Sequence, residues 1–386
     1  MSYNILIIGG GIQALSVARS LNEVGCIVTS FVDQKDYITK CKFIDHEISS
    51  PIIDNGEYYK QFLYDYLSKY PQKVIIPMRD NHADFLSRNK EEIERLFEAK
   101  CAIPGYDVFK LANDKWELLQ VCAKFGLPHP RTMVLSGDSL KAVAEYIGFP
   151  ALIKPNISIG AKGITLVNTI EEISLKYPSI YKLYGNCTLQ EYIDNAGPYY
   201  NVMLYRDRGG KIVNYTIIEI LRYYPVKGGS SCFCKAIEND ELIKLCSRTL
   251  EILNWIGFAD FDILRNRDGD FKIIEINPRI PSSIRAAAIS GVNFPSLIVY
   301  DLINNPLQQY NYQKGSYLRY LGLDIMWFLS SSKRFRAKPS WFRFIGKDIF
   351  YQDFTWDDPL PFFLGMIGNI KKQFSPEFRK SKAVLR

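Results

Sequence analysis

The chain reads as an α/β domain with a doubly wound parallel sheet, followed by an α+β domain of antiparallel hairpins and a basic, aromatic C-terminal extension. Three observations predict this. From residue 4 to about 105, short apolar runs alternate with helical stretches, as successive βαβ units do. After residue 150 the strands are instead closed by "DRGGK" and "RDGD", the turn chemistry of antiparallel hairpins. Charge is also unevenly placed: residues 1–314 carry 35 Lys and Arg against 35 Asp and Glu, and the last 72 residues carry 13 against 6, the whole of the net +7. The boundaries follow as 1–105, 106–314 and 315–386, the middle unit dividing into a small subdomain (about 128–192) and a larger antiparallel one (about 193–314).

In order along the first domain, "NILIIGG" and "CIVTSFVD" are parallel strands. The turn between them, Gly9-x-Gly11-x-x-Ala14, has dinucleotide-fingerprint spacing, and Asp33 ends the next apolar run as a ribose-binding carboxylate would. "KVIIPM" (73–78) is the next strand, followed by a charged helix, "NHADFLSRNKEEIERLFEA", and a short "CAIPG". A helix at about 114–125 leads into "GLPHPRT", whose prolines mark a linker. Beyond it, "FPALIKPN" and "GITLVNT" are short strands around a glycine loop, and "CTLQEYI" follows a helical segment. Long strands over 199–224 and 258–278 flank the helix "DELIKLCSRTLEILNWIG", and 284–304 is helical.

Composition excludes several classes. No run reaches the roughly 18 apolar residues of a membrane span, and "MSYNILII" lacks the cationic start and cleavage site of a signal peptide. The expected compartment is the cytoplasm. The eight cysteines form no CxxC pair and read as buried reduced thiols. Three histidines, His46, His82 and His129, leave little for a triad or a His-metal site.

Two segments carry chemistry. In "GFADFDILRNRDGDFKIIEINPR" (257–279), taking Asp268-Gly269 as a two-residue turn places Asp262 opposite Glu275 and Asp260 opposite Asn277 on one face. Phe261, Ile263, Ile274 and Ile276 fall on the other. Like charges directly opposed destabilise a sheet, so this face calls for a cation, and an all-oxygen donor set suits Mg²⁺. In "FPALIKPNISIGAKGITLV" (149–167) a strand delivers Lys154, and the loop brings Gly160, Ala161, Lys162 and Gly163, small residues whose amides can approach an anion. It is not a Walker A loop, since no GK[ST] opens a helix.

The ordered motifs "NDKWELL", "FPALIKP", "GAKGI", "LQEYI", "GGSS" and "EINPR", spanning about 110–300, resemble the ATP-grasp superfamily, nearest its carboxylate–amine ligases and the synthetase halves of carbamoyl phosphate synthase. The resemblance implies an ATP-grasp fold behind an N-terminal pre-ATP-grasp α/β domain, whose glycine turn is mainly structural. It implies that ATP phosphates meet Lys115, Lys154 and the loop Ser158 to Gly163, and that adenine meets the hinge Gln190, Glu191, Tyr192 and Ile193. Asp194 is the one acid near the usual ribose position. Asp262, Glu275 and Asn277 match the ligands of Mg²⁺ (or Mn²⁺), with Asp262 where the family more often has Glu or Gln. Arg279 matches the arginine that steadies an acyl phosphate, and Lys227 falls where a further phosphate contact is common. Arg222 and Arg285 are candidate holders of a substrate carboxylate.

The implied reaction joins a small-molecule carboxylate to an amine, releasing ADP and phosphate. Two rival readings are a non-catalytic ATP-binding scaffold and an NAD(P)-dependent oxidoreductase using Gly9 to Ala14. In the extension, "KRFRAKPSWFRFIGKDIFYQDF" interleaves six basic residues with aromatics, followed by an apolar stretch over 360–370. Such a segment either packs on the body of the chain or makes peripheral contact with an anionic membrane face. No nucleic-acid motif accompanies it, so nucleic acid is not an expected partner. Oligomerisation is left open. The "W-x-DP" tail resembles that of ligases encoded with surface-polysaccharide machinery.

Overall fold

A computed structural model describes residues 2–32, 40–54, 56–157, 163–194, 199–226 and 229–374. Asp33, Ser158, Gly160, Ala161, Lys162 and Lys227 lie outside them.

The first domain is a five-stranded sheet of β1 (Asn4–Ile8), β2 (Ile27–Val32), β3 (His46–Ser49), β4 (Val74–Pro77) and β5 (Lys100–Cys101). Its order is β3-β2-β1-β4-β5 and every pairing is parallel. Strand β1 is apolar from Ile5 to Ile8 because both its faces are buried there. Leu6 and Ile8 pack with Leu63, Ala83 and Phe109 on one side. Ile5 and Ile7 point the other way, into a core shared with Met203, Ile218, Phe294 and Leu297 of the second domain. The glycine turn is filled by the chain itself. Gly9 (φ +89°) lies so close to His82 that a Cβ there would sit 3.1 Å from the ring, and a Cβ on Gly11 (φ +104°) would sit 2.8 Å from Gln13.

Two features depart from the sequence reading. Strand β3 and the helix Gly56–Lys69 were not anticipated, since neither "HEIS" nor its neighbourhood shows a strong period. The single charged helix is two, Asp80–Arg88 and Lys90–Phe97. Asn89 breaks it with a non-helical ψ of 7°, its side chain donating to the Phe85 carbonyl.

The small subdomain pairs β6 (Thr132–Val134), β7 (Ala151–Pro155), β8 (Thr165–Val167) and β9 (Cys187–Glu191) in the antiparallel order β6-β9-β7-β8. Helices Leu140–Ile147 and Ile170–Tyr184 cover it over a separate core of Ile153, Val167, Ile173 and Leu189.

The large sheet comprises β10 (Tyr199–Arg206), β11 (Ile212–Tyr224), β12 (Ser230–Ile237), β13 (Gly257–Arg265), β14 (Phe271–Asn277), β15 (Tyr317–Arg319) and β16 (Ile349–Tyr351), in the order β14-β13-β10-β11-β12-β15-β16. The extension therefore supplies two strands of this sheet. The predicted two-residue turn is not formed: Arg265 pairs with Phe271, and residues 266–270 make the loop. A bulge between Asp262 and Ile263 restores the expected register above it, Asp262 opposite Glu275 and Asp260 opposite Asn277. The same bulge puts Ile273, not Ile274, among the buried residues with Phe261 and Ile263.

Buried ion pairs hold the extension. Asp324 (0% exposed) accepts from Arg222 Nε at 2.7 Å and lies 3.2 Å from Arg319 Nε. Both guanidinium groups stack on Phe233, at 3.9 and 5.0 Å. Further on, Asp358 pairs with Arg19 of the first domain at 2.9 Å, and Arg285 donates to the carbonyls of Tyr351 and Phe354. Burial raises the neighbouring Asp353 carboxyl to about 7, against its own backbone amide and the pull of Arg19 and Arg285. The folded chain thus holds a proton that the unfolded chain releases near pH 4. Its contribution to stability is complete below that pH and is lost as pH rises through 7. Asp353→Asn is expected to flatten this decline, seen as a smaller difference between urea midpoints at pH 5 and pH 8. An unchanged difference would assign the slope to other groups.

Candidate active site

The site lies where three units meet: the hairpin β13–β14, the small sheet, and the start of helix Asp80–Arg88. Asp114 caps the helix Lys115–Lys124, accepting from the amides of Trp116 and Glu117. The Lys115 amide is tied to the Asn156 carbonyl at 3.1 Å. That anchoring aims the Lys115 side chain at the hairpin, its Nζ 3.2 Å from Glu275 Oε2. Lys154, on β7, donates to Gln190 Oε1 at 2.6 Å, and Gln190 donates to Thr132 at 3.1 Å. Burial pushes the Lys154 ammonium down to about 8, with Glu275 opposing and Lys115 adding to the shift.

The carboxylates have opposite electrostatics. Burial, then Glu275 and Asp260, raise Asp262 well above the usual carboxylate range. Burial likewise lifts Asp260 to about 7, opposed by Arg279 and by the hydrogen bond from Asn277. For Glu275 burial also acts upward, but Lys115, a hydrogen bond from Asp262 and Lys154 outweigh it and hold the group at about 2. Asn201 on β10 donates to Asp262, and Asn277 Nδ2 donates to Asp260 at 3.1 Å, which leaves the amide oxygen of Asn277 for a cation. Asp260 Oδ1 is buried without a hydrogen-bond partner. Two opposed acids and an amide oxygen are donor types that a hard divalent cation takes. Among the described residues no three acid, imidazole or thiol groups cluster closely enough to hold a metal, so the rest of its ligands would come from water and substrate phosphates.

Arg279, at the end of "EINPR", reaches the first domain: its Nε donates to Asp80 Oδ1 at 2.8 Å. The hinge is ordered at its first residues. Glu191 accepts from Arg131 at 2.7 Å, and the Tyr192 amide donates to the Pro150 carbonyl at 3.2 Å. Ile193 follows half-buried, and exposed Asp194 pairs with Arg267 at 2.6 Å. Gly163 closes the phosphate-loop segment at φ +77°, against Pro155 and Tyr184.

The structure thus brings Lys115, Lys154, Gln190, Asp262, Glu275, Asn277 and Arg279 together. Arg222 and Arg285 are corrections: the first is 2% exposed and engaged with Asp324, the second donates to the extension, so neither presents a guanidinium to a substrate. Asp80 and Asn201 were missed. Asn201 faces Asp262 across β10–β13, a pairing no short-range pattern shows. Asp80 opens a helix in another domain.

Comparisons with known proteins show what the chain is similar to. Residues 215–321 match the family model described as "ATP-grasp in the biosynthetic pathway with Ter operon". The chain is 23% identical over 336 residues to a D-aspartate ligase of Enterococcus faecium, covering 80% of this chain and 78% of that one. It is 26% identical over 205 residues to a D-alanine–D-alanine ligase of Ectopseudomonas mendocina, covering 49% of this chain and 64% of that protein. Among solved structures, a biotin carboxylase from Campylobacter jejuni superposes with a TM-score of 0.69 at 19% identity, over 82% of this chain and 74% of that one. That likeness is one of fold.

Proposed function

We propose that the chain is an ATP-dependent ligase of the ATP-grasp, carboxylate–amine class, which activates a small-molecule carboxylate as an acyl phosphate and passes the acyl group to an amine. The observation that carries this reading is the acid pair Asp262 and Glu275, register-matched across the hairpin with Lys115 against it. A bound Mg²⁺ supplies charge neutralisation for the phosphates. The protein's share is positioning and electrostatics. Lys115 and Lys154 hold phosphate oxygens, the Glu191–Ile193 hinge receives the adenine, and Asp262, Glu275 and Asn277 hold the cation. Arg279, kept in place by Asp80, faces the activated carboxylate, and the segment 158–163 with Lys227 completes the phosphate contacts. Closing the small subdomain excludes water that would hydrolyse the acyl phosphate.

We place the reaction in the cytoplasm, at the inner face of a membrane, in surface-polysaccharide or secondary metabolism. Among the described residues no helix is long and apolar enough to cross a membrane. The test is ADP release with Mg·ATP across a panel of amino acids and sugar acids offered in pairs. ADP formed only with one acid–amine pair establishes the ligase and names its substrates. Tight ATP binding without ADP for any pair would favour a scaffold.

A further inference from the structure

The basic extension folds into a surface that the ligase site does not use. On the helix Leu360–Phe374, Leu360, Phe363 and Ile367 are 49%, 56% and 50% exposed and share one face by their spacing. Trp356, just before the helix, is 91% exposed. A second group stands beside it: Ile345 at 92%, Phe335 at 73% and Phe342 at 59%. Tyr351 joins the two, donating its hydroxyl to the Phe344 carbonyl at 2.8 Å while its ring meets Phe362 of the helix edge-on at 6.4 Å. Six basic residues, Lys333, Arg334, Arg336, Lys338, Arg343 and Lys347, interleave with the second group along the sequence, and Asp348, paired with Arg343, is the one acid in 331–348.

We propose that this surface lies on an anionic lipid bilayer, with Trp356, Leu360, Phe363 and Ile367 entering the headgroup boundary and the basic residues meeting lipid phosphates. It rests on the placement of the ligase at a membrane face and assigns that contact to particular side chains. The cores of protein–protein interfaces are depleted of lysine. Large apolar and aromatic side chains ringed by Lys and Arg are instead the composition of helices that lie in a lipid interface. The whole net charge of the chain sits in this extension, whereas the remainder is neutral.

The test is co-sedimentation of the full chain with vesicles of phosphatidylcholine alone and with a third phosphatidylserine, with ADP release measured on the same samples. Binding to the anionic vesicles only, weakened by salt and reduced at least tenfold in Phe363→Glu/Ile367→Glu, supports the proposal. Equal binding by parent and variant, or no binding by either, overturns it. So does a parent that elutes as a dimer while the variant elutes as a monomer, which would make the face a self-contact. ADP release retained by the variant separates failure of docking from failure of the ligase reading.

Discussion

Glu275→Gln is expected to lower substrate-dependent ADP release by roughly 10³-fold, the scale of losing a charge that holds a catalytic metal. Glu275 faces Asp262 across the hairpin and sits 3.2 Å from Lys115. Its carboxyl, held at about 2, is ionised at any practical assay pH. Glutamine keeps the volume and one acceptor oxygen but removes the charge that the proposed function assigns to holding the cation. It also leaves the Lys115 ammonium beside a neutral group at 8% exposure. Nucleotide binding, followed with a fluorescent ATP analogue, should weaken much less than turnover. A rate within tenfold of the parent would remove Glu275 from the catalytic set.

Asp324→Asn is expected to cost about 3–5 kcal/mol of folding stability without touching the ATP site, because it leaves two buried guanidinium groups uncompensated. Arg222 and Arg319 are 2% and 0% exposed; Asp324 accepts hydrogen bonds from Arg222 and forms an ion pair with Arg319. The stacking of both groups on Phe233 remains in the variant and offsets little of the loss. Urea denaturation measures the effect. A midpoint shift worth less than about 1 kcal/mol, the range of exposed pairs, would show that water reaches this cluster and screens it.

The most legible part of the site was the hairpin, because a period of two along β13 puts Asp260 and Asp262 on one face. The turn itself was misread, and the bulge after Asp262 compensated. Lys115 and Lys154 were singled out through the motifs around them, and the structure sets the first against Glu275 and the second against Gln190. Arg222 and Arg285 were misassigned for one physical reason. A basic residue near a motif looks available in sequence, while the groups that engage it, Asp324 and the carbonyls of Tyr351 and Phe354, lie far along the chain. Asp80 was hidden likewise, 199 residues from Arg279. Strand β3 escaped because a four-residue edge strand with mostly exposed side chains has too little hydrophobic contrast to register.

The continuous core beneath β1 and the large sheet has a thermodynamic consequence. Ile5, Ile7, Met203, Ile218 and Phe294 belong to one packed cluster, so the first domain and the large sheet melt as one cooperative unit. The four-stranded subdomain has its own cluster and meets that unit through sparse ties, among them the Lys115–Asn156 and Ile273–Pro128 backbone bonds. Its displacement therefore breaks few contacts and none of the main core. Nucleotide exchange and global unfolding are governed by separate free energies, so natural selection can adjust the residence time of ATP without trading away the stability of the chain.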